Sequence, residues 1–409
     1  MRAEVLVIVL THNLPRFHGD FSGTFIDALC RALVTQGAGV HVLAPHDSAY
    51  QPLPGRTYAL HLYRYAWPPS LQTVGYMRSM VGDLKVRRVS LAVTPAMLAA
   101  GALHCLRLVR LLHPDVIHAH WLLPNGLIGA VASRLTGVPL VVSIPGSDLL
   151  VARSNRFISR LASFVLRQAA LVTANSHDLQ RVAYQLGADP DRFDLIIYGV
   201  DPEALQPDPE AGQSLRRKLG IAAEDFLVLA VGRMVPKKGF RYLLEAMPLL
   251  LNSAPRSHLI LVGDGPERPD LGDLAQRLQI ADRVLFAGTI ARHEIPSYYN
   301  ACDVLAMPSV TEPEDGLNVC VLDAMACAKP VVATTVAGNP LAVQDGLNGS
   351  LVPEHDPARL AEELARLAAD GELVRRYGAA SRRLAEGEFS WPYLARRYLT
   401  HFGRLARGK

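Results

Sequence analysis

Two stretches decide the fold and chemistry of this chain: GRMVPKKG (Gly232–Gly239) and EPEDGLNVCVLDAMACAKPVVAT (Glu312–Thr334). The first lies between the apolar run FLVLAV and the helical pattern FRYLLEAM, so it is a glycine-bounded loop from a strand to a helix. That loop carries an arginine and two lysines. The second stretch places carboxylates at Asp315 and Asp323 around a glycine and a helix start. Cations, together with the free N–H groups of a helix N-terminus, favour the binding of an anion.

Short β-branched runs alternate with amphipathic helical patterns along the whole chain, which predicts parallel sheets covered by helices on both faces. Because 409 residues exceed one ordinary core, we expect an α/β protein of two doubly wound, Rossmann-like domains facing each other across a cleft. The predicted strands are Val5–Leu10, Val40–Ala44, Val116–His118, Leu140–Ser143, Leu171–Ala174 and Leu195–Ile197 in the first half, and Phe226–Val231, His258–Val262, Val284–Ala287, Val304–Met307 and Val331–Ala333 in the second.

The predicted domains span residues 1–200 and 201–388, and residues 389–409 form a C-terminal helix. The boundary rests on GVDPEALQPDPEAGQ (Gly199–Gln213), which is rich in proline and acidic residues and lacks apolar periodicity, as expected of a linker. Ligands of doubly wound sheets bind beyond the carboxyl ends of the strands, where loops lead into helices. The motifs of this chain lie at such junctions.

The composition favours a globular protein, because half of the residues are hydrophobic and a fifth are charged. Continuous apolar runs are only strand-length, which is shorter than a membrane span of about 18 residues or more, and MRAEVLVIVLTHN is typical of a first strand rather than a secretory signal. Five cysteines without C-x-x-C spacing predict buried free thiols in a reducing compartment, hence a cytoplasmic protein. A net charge of +4 does not predict nucleic-acid binding.

The two opening stretches resemble the donor-binding half of the GT-B fold retaining glycosyltransferases, in particular family 4. GRMVPKKG matches the pattern G-R-x-x-x-x-K-G, whose spacing selects Lys238 over Lys237. The resemblance spans nearly the whole chain and is strongest over Val228–Pro353. It implies a transferase that needs neither metal nor cofactor and moves a sugar from a nucleotide-diphosphate sugar to the hydroxyl of an unidentified acceptor. It also implies that the final helix crosses back onto the first domain.

The resemblance assigns Arg233 and Lys238 to the departing diphosphate, where fixed cations typically make the largest catalytic contribution. An arginine fork and a lysine point charge can hold different phosphate oxygens. The alternative is a solvated basic turn, although a cation beside the positive end of a helix dipole is mildly unfavourable.

Asp315 and Asp323 match the E-x7-E motif of the family, with aspartate at both positions. The resemblance implies that Asp315 contacts the donor sugar and that Asp323 holds the ribose hydroxyls. Because aspartate reaches about 1.5 Å less far than glutamate, Glu312 or Glu314 is an alternative for the sugar contact. Asp315 could also simply cap the following helix. The resemblance also implies that the backbone N–H groups of Gly316, Leu317, Asn318 and Val319 bind the diphosphate.

Two further segments of the second domain contribute candidate donor contacts. GDGPERPDL (Gly263–Leu271) places Gly265 in a phosphate loop or, equally well, in a plain turn before a helix. The stretch FAGTI (Phe286–Ile290) matches the place where the family contacts the nucleotide base through backbone groups, and Ile290 lies nearest the base.

In the first domain, THNLPRFHGDFSGTFIDAL resembles the family's glycine-rich loop, whose Gly19 and Gly23 permit close approach to the diphosphate. The alternative is that Gly19 and Gly23 only belong to the start of a helix that Ser22 caps. DVIHAHWLLPNG ends a strand with His118 and His120, and His120, nearer the strand's end, is the predicted site residue.

The segment VVSIPGSDLL resembles the family's H-G-x-D motif, with Asp148 retained and Pro145 where histidine is common. A proline side chain cannot bond a sugar or move a proton, so either His120 supplies that function or the acceptor geometry differs. A further basic and apolar stretch, Gly75–Val93, is either a solvated helix edge or a peripheral contact with the cytoplasmic membrane face.

Two alternatives to a glycosyltransferase use the same architecture: a sugar-nucleotide 2-epimerase and a non-catalytic protein that binds nucleotide sugars. GRMVPKKG with the acidic pair speaks against the epimerase, since epimerases do not share that combination. The double aspartate and Pro145 leave the non-catalytic protein open.

Overall fold

A computed structural model describes residues 5–76, 80–81, 85–86, 88–146, 149, 152–153, 155–311 and 314–408. The chain divides into two compact units, Met1–Ile196 with Trp391–Lys409, and Ile197–Ser390. Each unit is built on a parallel sheet in which helices connect most successive strands. The predicted α/β class with two doubly wound, Rossmann-like sheets is therefore confirmed.

The first unit contains a seven-stranded sheet in the order β3-β2-β1-β6-β7-β8-β9. The chain winds outward from β1 to β3 and then returns to the other side of β1, so the sheet's switch point lies between β1 and β6. Its strands are β1 Leu6–Leu10, β2 Gly39–Pro45, β3 Ala59–Tyr63, β6 Val116–His120, β7 Leu140–Ile144, β8 Leu171–Ala174 and β9 Phe193–Leu195, with an antiparallel pair β4 Met80–Val81 and β5 Lys85–Val86 outside the sheet. Its helices are α1 Thr24–Thr35, α2 Arg88–Leu112, α3 Leu127–Thr136, α4 Arg156–Gln168 and α5 His177–Gln185.

The second unit contains a six-stranded sheet in the order β12-β11-β10-β13-β14-β15, with its switch point between β10 and β13. The strands are β10 Phe226–Val231, β11 Ser257–Val262, β12 Val284–Gly288, β13 Val304–Met307, β14 Val331–Thr334 and β15 Gly349–Val352. The helices are α6 Pro209–Leu219, α7 Phe240–Ser253, α8 Arg268–Arg277, α9 Ile295–Ala301, α10 Val319–Ala326, α11 Asn339–Ala342, α12 Pro357–Ala369 and α13 Gly371–Glu386.

The last helix, α14 Trp391–Arg407, packs against the first unit. The hydroxyl of the buried Tyr398 lies 3.1 Å from Ser143 Oγ and 3.2 Å from Thr173 Oγ1, on neighbouring strands of that sheet. Asp194 also accepts a 2.6 Å hydrogen bond from Arg397 Nη2. Apolar packing and these polar contacts together hold the helix against the sheet of the first unit.

The structure corrects three details of the sequence analysis. The strand predicted at Leu195–Ile197 lies at Phe193–Leu195, and strands β3 and β15 were missed. The predicted linker ends early, since α6 begins at Pro209 with Asp208 accepting from Ala211 N at 2.9 Å. That helix buries only Gly212 and Arg216, which explains why its sequence shows no apolar period.

Helix α2 has the length and composition of a membrane span. The sequence analysis did not predict this helix as a span, because the continuous apolar runs are only strand-length. Ala92–Leu112 comprises 21 residues with a mean hydropathy of 1.5. Only 28% of the most apolar window is buried within the protein. In the part of the chain that the structure describes, it is the one helix that meets these criteria.

Candidate functional site

The loops after β10 and β13 flank the switch point of the second sheet, where doubly wound proteins bind ligands. Gly232–Gly239 forms the first loop and includes a 3-10 turn over Pro236–Lys238. The second loop leads from β13 to α10. Val310 N donates to Lys237 O at 3.0 Å, so the main chains of the two loops are hydrogen-bonded to each other.

Both lysines of the first loop contact Asp315 of the second. Lys238 Nζ lies 2.8 Å from Asp315 Oδ2, and Lys237 Nζ lies 3.3 Å from Asp315 Oδ1. Lys238 Nζ also donates to Asn318 Oδ1. Spacing had selected Lys238 alone, whereas the geometry places two ammonium groups on one carboxylate.

Asp315 remains ionised in this cluster. Burial works to raise its pKa, but the ammonium groups of Lys238 and Lys237 outweigh burial and hold the pKa below its usual value. Gly316 N donates to Asp315 Oδ1 at 3.0 Å, which also favours the charged form. The capping alternative is wrong, because Asn318 is the N-cap residue of α10.

The side chain of Asn318, at the start of α10, is hydrogen-bonded to residues that the sequence analysis did not single out. Asn318 Nδ2 donates to Ser309 Oγ at 2.9 Å and lies 3.3 Å from Asn339 Oδ1. Thr334 Oγ1 donates to Ser309 O at 2.7 Å. Because its side chain bonds these neighbours and Lys238, Asn318 does not cap its own helix. In the sequence, polar residues at the ends of strands were the signal that could have indicated these contacts.

The second predicted carboxylate, Asp323, lies within α10 in a different environment. Burial raises the pKa of Asp323 to about 7, and the hydrogen bond from Tyr299 and the charge of Arg292 only partly offset this effect. Tyr299 Oη lies 3.3 Å from Asp323 Oδ2. The two carboxylates of the motif thus differ, since Asp315 has cationic partners and Asp323 an aromatic hydroxyl.

The remaining donor-side residues lie around these loops. Arg233 follows β10 and is exposed, while Ile290 follows β12 and packs partly against the core. A Cβ on Gly265 would stand 2.4 Å from Met234 O, so the GDG turn needs glycine to pack against the first loop. Met234 N also donates to Asp264 O at 2.9 Å. This packing accounts for Gly265 without a ligand.

The loop after β1 bears Gly19 and Gly23 at the switch point of the first sheet. Gly23 has a φ of 64° and begins α1, and a Cβ there would stand 2.2 Å from Asn13 O. Gly19 has a φ of 87° with open space around it. Ser22 does not cap α1; its hydroxyl lies 3.4 Å from Asn13 Oδ1. Glycine at position 23 therefore permits a close backbone approach within this loop.

The two histidines of β6 occupy different positions. His118 is a core residue whose Nε2 bonds Ser143 Oγ at 2.7 Å, in the same network as Tyr398. His120 is nearer the strand's end and packs edge-on against Phe25. Burial lowers the pKa of His120 to about 3, so its ring is neutral. Its Nε2 atom is buried and has no hydrogen-bond partner among the described residues.

Three residues beside His120 were missed by the sequence analysis. Asn125 Nδ2 lies 2.8 Å from His12 Nδ1 and donates to His120 O, also at 2.8 Å. His12 packs on Trp121 with ring centroids 4.5 Å apart. Trp121 has a φ of 68°, unusual for a bulky residue. The loops after β1 and β6 are thus joined by polar and aromatic contacts at the switch point.

Some predicted residues fall outside the described part of the chain. Asp148, Glu312 and most of the basic run within Gly75–Val93 lie there. Among the residues that the structure does describe, no group of three or more His, Cys, Asp and Glu side chains is arranged to hold a metal ion.

Comparisons with known proteins identify the family. The model of "Glycosyl transferases group 1" matches residues 225–370, and that of "Glycosyl transferase 4-like domain" matches residues 22–199. The chain belongs to glycosyltransferase family 4. It is an enzyme of the GT-B class, as the resemblance implied, and these matches favour a glycosyltransferase over the 2-epimerase.

Curated relatives extend over most of this family 4 chain. A D-inositol 3-phosphate glycosyltransferase of Frankia alni is 34% identical over 306 residues, which cover 70% of this chain and 74% of the relative. A 2-deoxystreptamine glucosyltransferase of Streptomyces kanamyceticus is 31% identical, covering 76% and 82%. The match covers 67% of a D-inositol 3-phosphate glycosyltransferase of Streptomyces bingchenggensis and 65% of one from Streptomyces scabiei.

Solved structures of low sequence identity share the fold of this family 4 enzyme. Sucrose-phosphate synthase of Thermosynechococcus elongatus superposes with a TM-score of 0.77 at 21% identity, covering 99% of this chain and all of that one. Anabaena HepE, solved in complex with UDP, has a TM-score of 0.73 at 22% identity, with coverages of 99% and 100%.

Proposed function

We propose that this glycosyltransferase moves a sugar from a nucleotide-diphosphate sugar to an acceptor hydroxyl, with retention of the anomeric configuration and without a metal ion. The observation that carries the proposal is the contact of Lys238 with Asp315 and Asn318, at a sheet switch point and beside a helix N-terminus. A diphosphate is the ligand that such a set of cations and N–H groups favours. The complex of HepE with UDP supports the same donor class.

The lysine cluster suggests how the donor enters. Without a ligand, the positive charge of Lys238 is neutralised by Asp315 at 2.8 Å. Phosphate oxygens compete for Lys238 and for the exposed Arg233, and they lie against the N–H groups of Gly316–Val319. Asp315 then turns to a hydroxyl of the donor sugar and keeps Lys237 as its ionic partner. After this exchange every buried charge still has a partner of opposite sign. The protein thus avoids the free-energy cost of an unpaired buried charge.

Asp323 is assigned to the ribose. Its carboxyl lies on α10, one to two turns beyond the N–H groups proposed for the diphosphate, which is the direction in which a nucleoside extends from its phosphates. A carboxylate can accept hydrogen bonds from two vicinal hydroxyls. Ile290, after β12, is assigned to the base through its backbone groups.

The proposed chemistry is direct substitution on one face of the sugar. The bond between the anomeric carbon and the diphosphate oxygen breaks, the acceptor oxygen bonds to that carbon, and its proton passes to the departing phosphate. Lys238 and Arg233 stabilise the charge on the leaving oxygens. No separate general base, cofactor or metal is required in this scheme. His120, neutral at physiological pH, is assigned to the sugar or acceptor as a hydrogen-bonding group, and Gly19, Gly23 and Asp148 to the substrates.

We place the enzyme in the cytoplasm. All five cysteines are buried free thiols, as is typical of a reducing compartment. Sugar nucleotides would be its donors there. Peripheral contact with the cytoplasmic membrane face is part of the proposal.

A panel of sugar nucleotides, incubated with the full-length protein and analysed by chromatography, tests the function. The proposal predicts slow hydrolysis of one donor to free sugar and nucleotide diphosphate, since water replaces the missing acceptor. Formation of an epimeric sugar nucleotide would instead show an epimerase. Binding of a donor without any turnover would show a non-catalytic protein.

A further inference from the structure

Helices α2, α3 and α4 pack side by side on one face of the first unit's sheet, and α5 packs on the same face. Their side chains share a core with Ile8 and Leu10 of β1. Val7 and Val9 point to the opposite face, where α1 and α14 pack. The outer surface of the α2–α3–α4 layer thus lies on one side of the unit, opposite the side that α14 covers.

This layer carries an unusual charge. The sequences of the three helices contain no aspartate or glutamate. Six of their arginines are exposed, and none of the six forms an ion pair with any residue that the structure describes; they are Arg107, Arg110, Arg134, Arg156, Arg160 and Arg167. A solvated helix face ordinarily mixes both signs of charge. A face of one sign, with its charges unpaired, favours a polyanionic partner.

The same layer exposes large apolar side chains. Leu103 is 68% exposed, Leu111 70%, Leu135 67% and Phe157 67%. On α2 the exposed stripe continues toward the N-terminus through small apolar residues, Ala92, Pro95, Ala96 and Ala99. A helix on the surface of a protein normally turns polar residues outward. Apolar side chains beside arginines are typical of helices that lie in the interface of a bilayer.

Helix α4 also borders a place for an anionic group. A surface depression of about 390 Å³ is lined by Ser159, Arg160, Ser163, Phe164 and Arg167. Two guanidinium groups and two hydroxyls can together bind a phosphate. The aromatic ring of Phe164 adds an apolar wall, which suits an acyl chain near the phosphate.

We propose that the α2–α3–α4 layer is a docking surface for an anionic lipid bilayer. The arginines contact lipid phosphates, and Leu103, Leu111, Leu135 and Phe157 enter the boundary between head groups and acyl chains. Helix α2 lies along the membrane rather than across it, because its other side is packed on the sheet. This surface differs from the stretch Gly75–Val93 considered in the sequence, and it does not depend on the reaction catalysed. A nucleic acid would match the charge but not the exposed leucines.

Co-sedimentation with vesicles tests the proposal, using the full chain with phosphatidylcholine alone or mixed with phosphatidylglycerol. We expect binding only to the mixed vesicles and weaker binding as salt is raised. The double variant Arg156→Glu, Arg160→Glu should bind at least about 30-fold more weakly, because each cation near an anionic surface contributes roughly fivefold. The control Arg396→Glu, Arg404→Glu makes the same charge change on exposed positions of α14 and should bind like the wild type. Equal loss in both variants would contradict a localised surface.

The apolar contribution is tested by Leu103→Gln with Phe157→Gln, which leaves the charge unchanged. We expect this variant to lose vesicle binding while its unfolding temperature stays the same, because both side chains are exposed. Competition with single-stranded DNA separates a membrane from a nucleic acid. If the wild type binds DNA as tightly as mixed vesicles and the apolar variant binds vesicles normally, the proposal is overturned.

Discussion

Lys238 Nζ lies 2.8 Å from Asp315 Oδ2 and connects the loop after β10 to the loop after β13. Lys237 holds the other oxygen of the same carboxylate at 3.3 Å. One carboxylate thus contacts two adjacent cations at the point where a diphosphate is proposed to bind. In the proposed scheme a phosphate takes the place of Asp315 at Lys238, while Lys237 keeps its contact with the carboxylate.

Asp315→Ala should spare binding of the nucleotide diphosphate and reduce sugar transfer. The carboxylate is proposed to face the donor sugar, so loss of a charge-assisted hydrogen bond should slow turnover by roughly 10- to 150-fold. Calorimetric titration and a turnover assay on the same preparation measure the two effects. Glu314→Ala is the matched control from the same loop. An active Asp315→Ala beside an inactive Glu314→Ala or Glu312→Ala would assign the sugar contact to another acid.

Asp323→Ala should weaken binding of the bare nucleotide diphosphate. If the carboxyl holds the ribose hydroxyls, the loss should be about 10- to 150-fold in affinity. Calorimetric titration measures it, and Asp323→Asn provides a variant of nearly the same size that preserves packing. Unchanged affinity in both variants would exclude the ribose assignment.

Asp323 should also give the stability of the ligand-free protein a distinct pH dependence. Its folded pKa of about 7 lies above the ordinary value of 3.8, so the folded state binds more protons than the unfolded state between these values. The carboxyl's contribution to stability is therefore present below about pH 4 and lost as the pH rises through about 7. Relative to Asp323→Asn, the wild type should lose stability as the pH rises from about 4 to about 7. Urea unfolding of both proteins measures it, and parallel curves would contradict the raised pKa.

Removal of divalent metals should leave turnover nearly unchanged. The proposed diphosphate ligands are side-chain cations and N–H groups rather than a bound ion. The measurement compares donor hydrolysis before and after EDTA treatment, with Mg²⁺ and Mn²⁺ re-added as controls. Complete loss in EDTA with rescue by either ion would refute the metal-free scheme.

The sequence predicted the fold well because buried parallel strands are continuous apolar runs. Phe226–Val231 and Val304–Met307 were placed at their observed bounds. The strand Ala59–Tyr63 was missed because it is only partly buried and includes a histidine. The start of helix α6 has the sequence pattern of a linker, because the helix buries too little surface to produce an apolar period.

The sequence predicted the site residues only where their spacing along the chain identified them. Spacing singled out Lys238, but it could not show that Lys237 reaches the same carboxylate. The contacts among Asn318, Ser309 and Asn339 join three segments whose proximity depends on the order of strands in the sheet. His12 and Asn125 likewise meet across 113 positions of the chain. No local pattern predicts such pairs.

The comparison of Lys238→Ala with Lys237→Ala tests the central claim most directly. Both substitutions remove a cation from Asp315, but only Lys238 is proposed to stabilise the departing diphosphate. Turnover of a sugar nucleotide should fall by roughly 10²- to 10³-fold in Lys238→Ala, with the fold intact by circular dichroism, because one preorganised charge-stabilising group is lost. Lys237→Ala should lose much less turnover, because it removes an ionic partner of Asp315 but no proposed contact with the departing diphosphate. An inactive Lys237→Ala beside an active Lys238→Ala would contradict the account.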